Sequence, residues 1–174
     1  MEDQSKYDIS IIRPQVGNDD IQLRGEGMPK TRLKQMKTGL HALHALELMA
    51  VNIYKFQLTS RKSELNHQLI AAMCNEMTHV QDFQVRLYEF GFRPGRLRWV
   101  QYWTGIFVGL FSRLLGIKFI LKADIWLETK AVKGYGELLD KTDWDKGTRN
   151  VIEKNQADEV GHINRWKKLL KELA

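Results

Sequence analysis

One cysteine, three prolines and no apolar run of bilayer length are what this sequence is short of. The single thiol, Cys74, excludes an intrachain disulfide framework and any cysteine-rich zinc or iron–sulfur site. Crossing a membrane takes roughly 20 consecutive apolar residues, which no stretch supplies. Alternating strand-like patterns are also missing. The N-terminus has no apolar signal-peptide core, and residues 1–30 are too acidic for an organelle transit peptide. The net charge of +6 favours an anionic partner. Without a binding motif, or a basic stripe interleaved with aromatics, nucleic acid is not the expected one. What remains is a 174-residue chain, 43% hydrophobic and 28% charged, which predicts one soluble or membrane-surface helical domain.

Residues 1–30 read as an irregular leader, with Gly17-Asn18-Asp19-Asp20 and Gly25-Glu26-Gly27-Met28-Pro29 as turn signals, and residues 31–174 as the domain. From about Thr31, Leu33, Met36, Leu40, His44, Glu47, Val51, Tyr54 and Leu58 recur at helical spacing. Ser63 is placed to cap a second helix whose face carries Leu65, Leu69, Ala72, Glu76, His79, Phe83 and Leu87. A third amphipathic helix ends near Leu139 and shows Leu121, Ile125, Glu128, Val132 and Tyr135. The last shows Ile152, Asn155, Glu159, His162, Trp166 and Leu170. Between the second and third lies a different stretch, 97–121, where aromatic and aliphatic residues crowd between Arg96, Arg98, Arg113 and Lys118. Aromatics bordered by cations predict a helix lying at a membrane interface. The competing reading is a helix buried in the core or in a homo-oligomer interface.

Chemistry concentrates in a repeated spacing. Glu76-Met77-Thr78-His79 and Glu159-Val160-Gly161-His162 both place a carboxylate and an imidazole on one helix face. Eleven glutamates in 174 residues put Glu three before a given His about 6% of the time, so five histidines yield roughly 0.3 such pairs by chance. Three occur. The third, Glu64 with His67, falls on the opposite face from Glu76 and reads as surface. Lone glutamates, Glu47 and Glu128, precede the two motifs by 29 and 31 residues, as in a loose internal duplication. One Glu from each of two helices and Glu-x-x-His from each of two others is the donor set of a dinuclear carboxylate site in a four-helix bundle. Four acids at the centres of apolar stripes cost several kcal/mol each to bury without compensating charge. Two metal ions supply that charge, and the carboxylate-rich, imidazole-containing set favours iron over zinc or manganese. Surface residues, or a metal-free polar network, are the bland alternative. Asp82 and Asp158, next to the motifs, are candidates to orient the ligand imidazoles, as is His44. Tyr54 and Tyr135 each lie seven residues after a lone Glu and point inward. They are candidate catalytic residues, with core packing as the plainer role. Cys74 and Met73 read as packing, and His41 as exposed.

On these residues the chain resembles the demethoxyubiquinone hydroxylase family of the ferritin-like superfamily. His44-Ala45-Leu46-Glu47 with Tyr54 is similar to the family's His-Ala-Gly-Glu and following Tyr. Glu76-x-x-His79, the Gly109 and Leu114-Leu115-Gly116 segment, Glu128 with Tyr135, and Asp158-Glu159-x-x-His162 continue the likeness to the C-terminal end. The chain departs at Gly134, where the family often has His, and at Leu46, where it has a small residue. The resemblance implies an all-α, ferritin-like four-helix bundle with an extra hydrophobic helical segment. It also implies two iron ions, hydroxylation of a lipid-tailed quinone ring by O2, and NADH as the electron source. The expected location is peripheral, on the cytoplasmic side of a membrane, with a soluble cytoplasmic protein as the alternative. A rubrerythrin- or ferritin-like protein that reduces peroxide or oxidises iron carries the same donors, and a membrane-surface binding protein is the non-enzymatic alternative.

Overall fold

A computed structural model describes residues 21–60 and 62–173. Among them are five helices and no strand: α1 (Lys30–Gln57), α2 (Glu64–Glu89), α3 (Arg98–Leu114), α4 (Ile117–Lys141) and α5 (Lys146–Glu172). Most of the expected leader, residues 1–20, lies outside the described residues. Its end is not loose. The Arg24 guanidinium pairs with Glu89 at 2.7 Å and with Asp145 at 2.6 Å, fastening this segment to the end of α2 and the start of α5.

Local chemistry sets the helix boundaries. The Ser63 hydroxyl accepts the Asn66 N–H at the start of α2, and the Asp145 carboxylate accepts the Thr148 N–H at the start of α5. Between α3 and α4 the chain turns within two residues, and Gly116 takes φ 90°, a conformation that side chains with a Cβ resist.

The core has two apolar layers. One gathers Met36, Leu40, Leu43, Phe83, Leu87, Tyr135, Leu139 and Ile152, and the other Ala50, Ile53, Tyr54, Leu69, Ala72, Leu121, Leu127 and Trp166. Along α1 and α5 the chain passes from the first layer to the second. Along α2 and α4 it passes from the second to the first. These four helices therefore form an antiparallel bundle in which α2 and α4 point the same way, the all-α arrangement of ferritin-like proteins. Successive parallel helices need a long return connection, and α3 provides it.

The inner face of α3 is glycine and serine. Its only buried residues are Gly105, Gly109 and Ser112. A Cβ on Gly105 would stand 2.5 Å from the Met49 carbonyl oxygen, and one on Gly109 2.7 Å from that of Ile53, so backbone packs on backbone. The matches Gly105 to Met49, Gly109 to Ile53 and Ser112 to Gln57 advance together, so α3 runs parallel to α1. Its outer face carries Trp99, Trp103, Phe107, Leu110, Phe111 and Leu114 to the surface. No helix among the described residues is long and apolar enough to cross a membrane.

Candidate metal centre

The site forms where the apolar stripes of α1, α2, α4 and α5 are interrupted at one level, between the two hydrocarbon layers. Glu47 comes from α1, Glu76 and His79 from α2, Glu128 from α4, and Glu159 and His162 from α5. All six are at most 3% exposed. Glu64 and His67, on the other face of α2, are exposed as the spacing predicts.

The donors fall into two groups, Glu47, Glu76, His79 and Glu159, and Glu76, Glu128, Glu159 and His162, each able to bring its atoms within 4.8 Å of one another. Glu76 and Glu159 belong to both. The distances repeat across the halves. His79 Nδ1 lies 3.0 Å from Glu159, 3.4 Å from Glu76 and 3.8 Å from Glu47. His162 Nδ1 lies 2.9 Å from Glu76, 3.4 Å from Glu159 and 3.7 Å from Glu128. The internal duplication in the sequence is thus a near two-fold axis through the site.

The residues fit a pair of hard cations. Both oxygens of Glu76 and of Glu159, and Nδ1 of both histidines, are buried without a hydrogen-bond partner, all converging on one point. Such orphaned acceptors are rare in native interiors unless a cation satisfies them. Four carboxylates with two imidazoles suit iron better than zinc.

Burial and mutual charge displace the titration of several groups in this cluster. Burial lifts Glu47 and Glu128 well above the usual carboxylate range, and the charges of Glu76 and Glu159 add to it against the pull of His79 and His162. Burial acts to raise Glu76 too, but the adjoining imidazoles of His162 and His79 hold it down to about 2. Burial acts to lower His162, yet Glu128, Glu159 and Glu76 push it up to about 11. His79 is raised further still, against burial, by Glu159, Glu47 and Glu76.

Around these donors the structure sorts the other sequence candidates. Asp158 lies 3.1 Å from His79 Nε2, so it holds the histidine of the partner motif and turns Nδ1 toward the site. Asp82 does not take the matching part. It sits at the surface, 33% exposed and 3.9 Å from Lys154, and orients neither imidazole. His44 is buried beside Gln84 and belongs to neither donor group. His41 is only half-buried, at 2.8 Å from the Arg93 carbonyl. Cys74, expected to pack, is exposed, whereas Met73 is partly buried against the second apolar layer.

The two tyrosines are crossed. Tyr135 on α4 donates to Glu47 on α1 at 2.5 Å, and Tyr54 on α1 donates to Glu128 on α4. The Trp166 indole N–H in turn donates to the Tyr54 oxygen at 3.2 Å. One oxygen of each lone carboxylate is thereby fixed. Spacing could place the tyrosines at the right level but not choose their partners.

The sequence reading missed one buried group, Asp124, which is 0% exposed and accepts from Gln57 Nε2 at 2.7 Å. The signal was present. Asp124 is four residues before Glu128 on the same face of α4, and Gln57 is three after Tyr54 on α1.

Comparison with known proteins agrees with this geometry. Residues 34–172 match the model of the family described as ubiquinone biosynthesis protein COQ7. A 3-demethoxyubiquinol 3-hydroxylase of Legionella pneumophila (strain Corby) is 28% identical over 126 residues, covering 70% of this chain and 58% of that protein. A protein of the same name from Nitrosospira multiformis is 28% identical over 146 residues, covering 79% of this chain and 70% of that protein. The chain thus spans less than two thirds of the Legionella relative's length. With that match covering all five helices but the first few residues of α1, and including the six candidate donor positions, the chain belongs to the COQ7 family of ubiquinone biosynthesis proteins.

Proposed function

We propose that this protein is a di-iron hydroxylase that places one oxygen atom from O2 on the ring of a lipid-tailed quinol. The observation that carries this reading is the sharing of Glu76 and Glu159 by two otherwise separate donor groups. Two iron ions held there would supply the activation of O2 needed to place one of its atoms on a ring carbon. The chain's own side chains prepare the site. Glu76 and Glu159 span both positions, Glu47 with His79 serves one, and Glu128 with His162 the other. Tyr135 and Tyr54 each hold one oxygen of a lone glutamate and leave the second for metal. The apolar layers at both ends keep bulk water from the donors.

A groove of about 310 Å³ between α1, α3 and α4 offers room for the ring. Leu46 and Leu127, which line it, directly adjoin Glu47 and Glu128 in the chain. The two departures from the family pattern, Leu46 and Gly134, both line this groove, and Gly134 has open space where a Cβ would stand. These two positions are where the groove would meet the ring's substituents. The exposed aromatic face of α3 rests on the cytoplasmic surface of a membrane, from which a lipid-tailed quinol reaches the groove, with electrons from NADH.

The test is anaerobic Fe(II) loading followed by isotopically labelled O2 and a short-tailed demethoxyquinol. One labelled oxygen in the product is the expected result. Peroxide consumption with no label in the quinone would favour a rubrerythrin-like reductase instead. Flotation with anionic vesicles checks the surface contact, and Phe107→Ser with Phe111→Ser should abolish it. Equal flotation of that variant removes α3 from the membrane.

A further inference from the structure

Among the described residues four carboxamides are buried, Asn52, Gln57, Asn66 and Asn155. Three of them are bonded within the bundle. Asn52 Nδ2 donates to the Leu48 carbonyl at 2.7 Å, Gln57 Nε2 to Asp124 at 2.7 Å, and Asn66 Nδ2 to the Thr59 carbonyl at 2.7 Å. Asn155 is 0% exposed, yet neither its Oδ1 nor its Nδ2 has a partner. A buried amide unmet at both ends is rare in native interiors, because it gives up its bonds to water and receives none in exchange. Such a group calls for a partner from outside the chain.

The register of the helices places this amide beside the metal donors. Asn155 is four residues before Glu159 on the buried face of α5, so the two share a side of that helix. Gln156 Nε2 donates to the Val132 carbonyl at 3.0 Å and Arg149 to the Leu139 carbonyl at 2.7 Å, which aligns α5 antiparallel to α4. Asn155 therefore lies level with the turn of α4 between Glu128 and Tyr135. On α2, the His79–Asp158 and Asp82–Lys154 pairs put it level with the turn between His79 and Phe83. The amide thus stands where the donor cluster meets the first apolar layer, whose Phe83 and Tyr135 rings lie 6.0 Å apart. Neighbouring polar groups are already engaged: Tyr135 donates to Glu47, and Gln156 to the backbone of α4.

We propose that Asn155 binds a small ligand of the metal pair, of the size of water or azide, by donating from Nδ2 to that ligand's accepting atom. Catalytic metal sites keep a position open for such a ligand. A carboxamide suits the place because it offers an N–H without adding charge to a cluster that already holds four carboxylates. No proton or electron passes through it, so Asn155 is a binding residue. The inference rests on the metal-centre reading but not on the quinol.

Azide is the probe, added to the full chain after it has been loaded with iron and oxidised to the ferric state. Wild type should show an azide-to-iron absorption band, and its absence overturns the proposal. Asn155→Leu keeps the size of the side chain, removes the donor and joins the apolar layer. It should load the same two irons but bind azide roughly tenfold or more weakly, with a shifted azide infrared stretch. Equal affinity with an unmoved stretch overturns the proposal and leaves the metal centre standing. A second measurement needs no variant. Exchanging wild type into D2O before loading should shift the stretch of bound azide, because the amide hydrogens exchange. An unshifted stretch overturns the proposal even where Asn155→Leu fails to fold. A wild type that loads no pair of irons removes the metal centre and this inference together. Failure to hydroxylate quinol, with the azide results intact, sinks the substrate reading alone.

Discussion

Each shared carboxylate belongs to two candidate donor groups and each lone one to a single group, so the six residues are not equivalent. Glu128→Ala should leave Glu47, Glu76, His79 and Glu159 intact and reduce bound iron from a pair to a single ion. Glu76→Ala should remove a donor from both groups and lower binding at each. Iron stoichiometry by metal analysis checks both, and a Glu128→Ala protein that still binds the pair takes Glu128 off the ligand list. Because Glu76 also pairs with His79 and His162 and Glu128 accepts from Tyr54, circular dichroism of both variants checks that the helices remain. At this scale the convergence of these six side chains was legible in the sequence. Glu-x-x-His repeated on apolar stripes is a local pattern, and a helix translates spacing directly into direction. The orienting residues were not. Asp158 and Asp82 both sit beside a motif, yet only Asp158 reaches a histidine, and that histidine belongs to the other helix.

Among the elements, α3 reverses the usual arrangement of a surface helix. Its polar and small residues face in and its aromatics face out. Close approach to α1 depends on having no side chain at Gly105 and Gly109. Gly105→Ala forces a methyl into the Met49 carbonyl and should destabilise the protein by about 1–3 kcal/mol, read from chemical denaturation. Gly134→Ala, on open space in α4, should not destabilise it and serves as the control. An equal effect at both positions would show that helix propensity, not contact, governs α3. The sequence made 97–121 conspicuous but could not divide it. The structure breaks it at Gly116, giving α3 and the first turn of α4.

For the whole molecule, the six candidate donors come from four helices and none from α3. Metal should therefore tie α1, α2, α4 and α5 together as one cooperative unit and raise the thermal midpoint. Amide hydrogen exchange should slow in those four helices on iron loading and stay nearly unchanged across the exposed face of α3. Protection confined to one helix hairpin would mean that the two halves bind their ions independently.

The helices, their inward faces and the six acids and imidazoles at their centres follow from the sequence alone, because helical periodicity and the cost of burying uncompensated acids are local and compositional constraints. The parallel course of α2 and α4, the crossed Tyr54–Glu128 and Tyr135–Glu47 bonds, the hold of Asp158 on His79 and the isolation of Asp124 were decided only by tertiary structure. Each depends on which side chains from distant parts of the chain arrive at the same level of the bundle, and spacing along one helix carries no information about its neighbours.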